Sequence, residues 1–219
     1  MYSHGDSSIG FPMSGANEDR ISRITGFLET IDRLKSVERR GWLADGSRRE
    51  NAAEHSWHVC MYALLLHNEL ESQTDLHRIL CMLLVHDLVE VYAGDSYVYD
   101  DREMADQHER ESLAAQRLFA LLPSDVAERI RGFWDEFEAQ VTPEARIARA
   151  FDIAHGFSQN VFSQGKGWRQ NSVTEAMSRK VNRVAWETDP VLAAFYRQLY
   201  ERAEREDLWS KEDRSSETS

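Results

Sequence analysis

The adjacent residues His86 and Asp87 form the most informative pattern in the sequence. A histidine of an upstream segment, His55, precedes the pair, and an aspartate of a later segment, Asp152, follows it. Imidazole nitrogens and carboxylate oxygens together suit a divalent transition metal, and an adjacent histidine and aspartate can both reach one ion. The order H…HD…D therefore predicts a metal centre. A bound ion that activates water would make the protein a hydrolase.

The pair follows an apolar run in the segment CMLLVHDLVEVYAGD. Residues 81–85 are apolar all round, so the helix that carries them should be buried, and the polar groups of the pair then need partners. Glu90 lies about one turn beyond the pair, on the same side of the helix. Gly94 is expected to end that helix. Asp95 would then emerge in the turn, where its carboxylate could orient water or act as a general base.

Two further segments offer the remaining ligands. One contains His55 and His58, and His55 is favoured because it follows a polar residue whereas His58 leads into apolar ones. In the other segment, Asp152 is embedded among apolar residues of a helical pattern, where a carboxylate is costly unless it is paired or bound to metal. Its alternative partner would be an arginine, Arg146 or Arg149.

These residues are expected to stand on helices, because apolar residues recur at three- and four-residue steps along most of the chain. No strand-like alternation of useful length is present. The start and stop signals predict helices over residues 18–37, 51–70, 74–92, 101–122, 124–139, 142–163, 171–187 and 189–206. Asn51, Thr142 and Asp189 are expected to cap their helices, the last two directly before a proline. The predicted fold class is all-α.

With 219 residues, the chain fits a single domain with one sizeable core. No internal repeat or linker divides it, so we predict one domain over residues 18–207. Residues 1–17 are rich in glycine and serine and residues 208–219 are mostly polar, so both segments are predicted to be flexible.

Composition excludes several classes of partner and location. The net charge of −12 argues against a nucleic-acid-binding surface, which needs clustered lysine and arginine. Cys60 and Cys81 lie in apolar stretches, which favours core thiols and a reducing cytoplasm over a disulfide framework. No apolar run is long enough to span a bilayer, and the first residues lack the pattern of a secretory signal. Phe133, Trp134 and Phe137 indicate either core packing or an oligomer face, so a homodimer is one expectation.

The order of His55, His86-Asp87 and Asp152 resembles the HD-domain metal-dependent phosphohydrolase superfamily. The flanking segments RENAAEHSWHV, LLVHDLVEVYAGD and ARAFDIAHGF are similar to the branch that contains the bacterial 5′-deoxynucleotidases and human HD domain-containing protein 2. The motif E-H-S followed by H-D-x-x-E-x-x-x-G-D is typical of that branch. The similarity extends over roughly residues 20–205. It implies a single-domain HD-type helical bundle.

The resemblance also implies roles for individual residues. The family's four metal ligands are matched by His55, His86, Asp87 and Asp152. Its acidic pair beside the metal is matched by Glu90 and Asp95, with Asp95 the better candidate for positioning the attacking water. In VERRGWLADGSRRENAAEHS, Trp42 matches a tryptophan that shapes the sugar pocket. The arginine that binds the substrate phosphate is matched by either Arg39 or Arg40.

The activity that the resemblance implies is hydrolysis of (deoxy)nucleoside 5′-monophosphates to nucleoside and phosphate, with a small nucleotide as the partner. The expected cofactor is one divalent ion, Mn, Co, Fe, Ni, Zn or Mg. A nucleoside triphosphate phosphohydrolase or a cyclic-nucleotide phosphodiesterase is the alternative. Dinuclear phosphodiesterases of this superfamily generally have further ligand histidines between the HD pair and the final aspartate, where this chain has only His108. A nucleotide-binding sensor without turnover is the alternative of another class, and Glu90 and Asp95 argue against it.

Overall fold

The computed structural model describes residues 15–211, so most of the two segments predicted to be flexible lies outside the described residues. Within this range the chain forms eleven α-helices and a small antiparallel sheet, and the all-α class is confirmed. In chain order the elements are α1 (Gly15–Asp32), β1 (Glu38–Trp42), β2 (Arg49–Asn51), α2 (Ala52–Leu66), α3 (Leu76–Val85), α4 (Glu90–Ala93), α5 (Asp101–Ala105), α6 (Gln107–Phe119), α7 (Ser124–Ala139), α8 (Pro143–Phe162), α9 (Lys166–Gln170), α10 (Glu175–Trp186) and α11 (Pro190–Arg205).

The predicted caps fix the starts of the helices that carry the site. The side chain of Asn51 accepts a hydrogen bond from the backbone N–H of Glu54, and the Glu54 carboxylate accepts one from the backbone N–H of Asn51. This reciprocal capping box begins α2. The side chains of Thr142 and Asp189 likewise accept backbone hydrogen bonds at the starts of α8 and α11, as predicted.

Helix α8 is the centre of the bundle and packs against α2, α3, α7, α10 and α11. Ala148, Ala150 and Ala154 on this helix are fully buried. Such short side chains let neighbouring helices approach closely, so a polar residue on the same helix comes near groups from several other elements. Asp152 occupies such a position.

The helix predicted over residues 74–92 is in fact two helices, α3 and α4, joined by the turn 86–89. Backbone hydrogen bonds in this turn span three residues instead of four, as in the 3.0 Å bond from the Glu90 N–H to the Asp87 carbonyl. The HD pair therefore lies at the end of a helix instead of inside one. The helix predicted over residues 101–122 is similarly divided into α5 and α6.

The hairpin of β1 and β2 was not predicted. Its strands pair antiparallel, with Glu38 opposite Asn51 and Trp42 opposite Arg49, and the register shifts between these pairs. The strands are short and rich in charged residues, so they lack the apolar alternation that would reveal them in the sequence. The hairpin leads directly into α2 and places its residues beside the site.

Residues on both sides of the predicted domain, 18–207, take part in the described structure, since α1 begins at Gly15 and residues after α11 pack against the core. Leu208 is 2% exposed, and the ring of Trp209 stacks on that of Trp168 with centroids 4.1 Å apart. These two apolar side chains follow α11 and return to the core.

The aromatic cluster on α7 belongs to the interior. Trp134 and Phe137 are buried, in two neighbouring parts of the core, and Phe133 packs against both. Of the two expectations for this cluster, core packing is therefore the correct one, and the homodimer loses this support. None of the helices within residues 15–211 combines the length and the apolar character needed to cross a bilayer.

Candidate metal centre

Three separate elements bring the predicted metal ligands together. His55 is the fourth residue of α2, the HD pair follows the last residue of α3, and Asp152 lies in the middle of α8. The capping box holds the start of α2 in place, and α2, α3 and α8 pack against one another. Residues that are far apart in sequence thus share one small volume.

The donor atoms of these residues converge. His55 Nε2 lies 3.3 Å from His86 Nε2 and 3.0 Å from Asp152 Oδ1, and the last two atoms are 3.8 Å apart. The Asp87 carboxylate places one oxygen 3.1 Å from His86 Nε2 and the other 3.6 Å from His55 Nε2. Ligand atoms that share an ion at bonds of about 2.0–2.2 Å lie roughly 3–3.5 Å from one another. His55, His86 and Asp152 therefore fit a single divalent ion, and the Asp87 carboxylate lies next to both histidine nitrogens.

Burial and neighbouring charges set the protonation of these groups. Burial, together with the charge of Arg39, lowers the pKa of His55 to about 4, so a nitrogen lone pair is available at neutral pH. Burial opposes ionisation of Asp152, but hydrogen bonds from His55 and His86 hold its pKa well below the usual value. Burial also opposes protonation of His86, but Asp87 and Asp152 raise its pKa. Metal binding at His86 is therefore expected to release a proton.

Arg39 of β1 lies among three carboxylates beside this cluster. Its Nη1 is 2.7 Å from Asp87 Oδ2, 3.3 Å from Asp95 Oδ1 and 3.8 Å from Glu90 Oε1. Burial opposes the charge of Arg39, but these carboxylates raise its pKa above the ordinary value, so the guanidinium stays charged. A fixed, planar set of N–H donors at this place suits a phosphoryl group.

Glu90 and Asp95, the predicted acidic pair, are both well shielded from solvent. Burial raises the pKa of Glu90 well above its usual value, and the charge of Asp87 adds to this effect. Burial also raises the pKa of Asp95, against the opposing charge of Arg39. Glu90 Oε2 has no hydrogen-bond partner within the described residues. Buried carboxyl groups with raised pKa values are candidates for proton exchange with water or substrate.

Within the described residues, neither Arg40 nor Trp42 forms a hydrogen bond or an ion pair with the acidic group around Arg39, although Arg40 lies near enough for the charge of Asp95 to contribute to its raised pKa, after the larger effect of Glu103. Arg40 donates to Glu103 at 2.7 Å and its side chain is about half exposed. Trp42 Nε1–H donates to Gln170 at 2.8 Å, on the far side of the strand. Consecutive strand residues point to opposite faces of a sheet, which explains why Arg39 is separated from both. Between the two candidate arginines, the geometry favours Arg39.

A cavity opens beside the cluster. Its wall contains the predicted ligands, both candidate arginines, Arg39 and Arg40, and the acidic pair. Aromatic and amide side chains also line it, namely Tyr97, Tyr99, Phe157, Gln159, Asn160 and Asn182. The Trp42 side chain is not part of the wall, but its backbone carbonyl accepts a 2.8 Å hydrogen bond from Gln159 of the wall, and its role in a sugar pocket stays a prediction. Aromatic faces beside amide hydrogen-bonding groups are suited to a flat, polar ring.

A second group of polar residues lies next to His55, and sequence reasoning weighed only His58 of this group, as the less favoured ligand. Glu50, His58 and His155 place donor atoms within 4.8 Å of one another. His155 Nδ1 lies 2.9 Å from His55 Nδ1, on the side of that ring away from the first cluster. The signal was present, because His58 follows His55 by three residues and His155 follows Asp152 by three, which places each pair on one helix face.

Comparisons with known proteins agree with this geometry. A family model described as the HD domain matches residues 31–190. The 5′-deoxynucleotidase HDDC2 of Danio rerio is 30% identical over 127 residues, which are 58% of this chain and 62% of that protein. The 5′-deoxynucleotidase hdd1 of Schizosaccharomyces pombe is 31% identical over 134 residues, which are 59% of this chain and 66% of that protein. The matched region thus covers less than two thirds of either relative.

Similarity to a solved structure extends over more of the chain. The crystal structure of a predicted metal-dependent phosphohydrolase from Magnetospirillum magnetotacticum MS-1 is 38% identical in sequence and superposes with a TM-score of 0.83. The match covers 91% of this chain and 100% of that one.

Proposed function

Because this chain belongs to the HD domain family, we propose that it is a metal-dependent phosphomonoesterase that hydrolyses (deoxy)nucleoside 5′-monophosphates to nucleoside and phosphate. The observation that carries the proposal is the convergence of His55, the HD pair and Asp152 beside a buried arginine and two buried acids. Relatives named 5′-deoxynucleotidase support the substrate class.

The proposed metal ligands are His55, His86, Asp87 and Asp152. A divalent ion held by these residues supplies a Lewis acid and lowers the pKa of water. Two imidazoles and two carboxylates suit Mn, Co, Fe, Ni or Zn, and also Mg if waters complete its shell.

Arg39 is proposed to bind the phosphate. Its guanidinium stays charged among Asp87, Glu90 and Asp95, and it can donate to phosphoryl oxygens that gain negative charge during the reaction. Asp95 forms an ion pair with this guanidinium at 3.3 Å, so it lies beside the proposed position of the phosphate and can accept a proton from the attacking water. The water oxygen bonds to phosphorus as the bond from phosphorus to the 5′ oxygen breaks. Asp95 takes one proton from the water, and the 5′ oxygen takes up one proton from solvent, so the nucleoside leaves as an alcohol.

The rest of the cavity is proposed to hold the nucleoside. Tyr97, Tyr99 and Phe157 offer aromatic faces to a base, and Asn160 and Asn182 offer amide groups to its edge or to the sugar. Together with Arg39, these side chains of the cavity wall suit a molecule that has a flat ring and a phosphate.

A panel of substrates tests the proposal. Deoxynucleoside and ribonucleoside monophosphates, triphosphates and cyclic nucleotides are incubated with the full-length protein and Mn, Co or Mg, and phosphate and nucleoside are measured. We expect release of phosphate from the monophosphates, and none in excess chelator. Hydrolysis confined to triphosphates or to cyclic nucleotides would replace the proposal with the corresponding alternative. Tight nucleotide binding without turnover under every metal would replace it with a sensor.

We also propose a cytoplasmic location, and we keep the homodimer as a proposal although the aromatic residues of α7 no longer support it. Cys60 and Cys81 are free thiols, which is compatible with a reducing compartment. The oligomeric state is measured directly by analytical ultracentrifugation of the full-length protein, where a sedimenting monomer contradicts the homodimer.

A further inference from the structure

The second polar group, Glu50, His58 and His155, has no part in the proposed reaction, although it touches a proposed metal ligand. Glu50 is 4% exposed and His155 is fully buried, whereas His58 is partly exposed. Buried polar side chains cost stability unless they are hydrogen-bonded, so their placement next to His55 requires an explanation.

The three histidines form a continuous chain of ring nitrogens. His55 Nδ1 lies 2.9 Å from His155 Nδ1, and His155 Nε2 lies 3.0 Å from His58 Nδ1. The Glu50 carboxylate flanks this chain, with one oxygen 3.5 Å from His155 Nε2 and the other 3.9 Å from His55 Nδ1. The chain thus leads from a partly exposed ring, through a buried one, to the proposed ligand.

The proton positions in this chain follow from the role of His55. If Nε2 of His55 faces the ion as a lone pair, the neutral ring carries its proton on Nδ1 and donates it to His155 Nδ1. His155 must then carry its own proton on Nε2, which points toward His58 Nδ1 and the Glu50 carboxylate. Each ring in this way fixes the tautomer of the next.

A second metal ion at Glu50, His58 and His155 is the competing explanation, because their donor atoms also lie close together. Ions on both sides would occupy Nε2 of His55 and Nε2 of His155. Both neutral rings would then carry protons on Nδ1, and these two atoms face each other at 2.9 Å. A hydrogen bond at that distance has room for one proton, so the contact favours a positioning chain over a second ion.

We propose that His155, supported by Glu50 and His58, is a positioning residue that fixes the tautomer and ring orientation of His55 for metal binding. The inference rests on the proposed metal centre. On α2 and α8, the faces that carry His55 and Asp152 also carry His58 and His155. The two helices therefore form the proposed metal centre and the row of hydrogen-bonded histidines together. Partners of this kind orient metal-bound histidines and raise their basicity.

The test uses full-length protein loaded with Zn²⁺, a diamagnetic ion. Long-range proton–nitrogen NMR of the imidazoles reports which nitrogen of each ring carries the proton. We expect the Nδ1–H form for His55 and the Nε2–H form for His155. The opposite tautomer at His155, or a doubly protonated ring, overturns the proposal without any variant.

Two variants of similar size measure the effect on affinity. His155→Leu removes the acceptor, whereas the side-chain oxygen of His155→Asn can take the place of Nδ1. Competition with a chelator of known affinity should show Zn²⁺ binding weakened about 10- to 100-fold in His155→Leu. His155→Asn should keep most of the Zn²⁺ affinity that His155→Leu loses. Equal affinity of His155→Leu and wild type, or equal loss in both variants, overturns the proposal.

Controls separate this result from misfolding and from the competing explanation. Ser158→Ala, a buried change on the same helix, should leave the affinity unchanged, and circular dichroism checks that each variant is folded. Two Zn²⁺ ions per chain, reduced to one by Glu50→Gln, would show a second ion site and overturn the positioning role. Metal affinity is measured without substrate, so a failure of the proposed phosphatase activity remains distinguishable from a failure of this inference.

Discussion

Two groups of histidine and carboxylate side chains lie against the two ring nitrogens of His55, and their surroundings differ. The group at Nε2 contains the HD pair and Asp152, lines a cavity, and adjoins a charged arginine. The group at Nδ1 contains Glu50, His58 and His155, of which only Glu50 reaches the cavity wall. In each group three side chains bring donor atoms within 4.8 Å of one another, namely His55, His86 and Asp152 in the first and Glu50, His58 and His155 in the second. Donor spacing alone therefore does not identify a reactive centre, and access to a cavity and the neighbouring charges distinguish the two.

The largest effect is expected where the two groups meet. His55→Ala removes a proposed ligand and also ends the histidine chain, so metal affinity should fall by more than about 100-fold and hydrolysis should fall to background. Metal content by mass spectrometry and phosphate release measure the two effects in the same preparation. A variant that keeps its metal but loses activity would contradict the assignment of His55.

Asp95→Ala separates chemistry from metal binding within the first group. Loss of the proposed proton acceptor should lower kcat by about 10²- to 10⁴-fold. The metal content should stay at the wild-type level, because the proposed ligands are intact. Parallel loss of metal and kcat would show that Asp95 acts on the ion and not on the water.

Arg39→Ala tests the charge that distinguishes the first group. Removal of the guanidinium should lower kcat/KM by about 100-fold through lost phosphate contacts. Metal affinity should not fall, because a positive charge next to the proposed ligands disappears.

Arg40→Ala is the matched control, a neighbouring arginine that pairs with Glu103 at a half-exposed position. Arg40→Ala should lower kcat/KM far less than Arg39→Ala does. Similar losses in the two variants would contradict the assignment of the phosphate contact to Arg39.

The smallest expected effect on activity, and a clear one on stability, concerns Glu50 in the second group. Burial raises its pKa to about 7, from an ordinary value of 4.5. The folded state therefore holds this proton more tightly than the unfolded state, and this contribution to stability is lost as the pH rises from about 4.5 to above 7.

Glu50→Gln removes that dependence. In chelator, its free energy of unfolding should equal that of the wild type at low pH and exceed it at pH 8 by on the order of 3 kcal/mol. Urea unfolding at both pH values provides the measurement. If the difference in free energy of unfolding between Glu50→Gln and the wild type does not increase with pH, Glu50 is ionised without cost in the folded chain.

The sequence predicted the first group better than its surroundings. His55 and Asp152 stand on helices whose caps and apolar periodicity are readable, so their helical placement could be inferred, whereas the turn that holds the HD pair after α3 could not. The hairpin could not be predicted, because its charged strands lack an apolar alternation. The choice between Arg39 and Arg40 depends on which face of the strand meets the site, and this follows only from the pairing of the strands. His155 was visible at helical spacing from Asp152, but its role depends on how α8 meets α2, which only tertiary packing determines.

The stacked rings of Trp168 and Trp209 provide an optical reporter for this part of the molecule. Two indoles held face to face couple their electronic transitions and give a circular dichroism band that vanishes when either ring leaves. Trp168 lies on α9, whose Lys166 and Gln170 contact the hairpin that carries Arg39. Loss of the indole signal ahead of the helical signal during heating would therefore show that the chain end and α9 detach while the bundle is still intact.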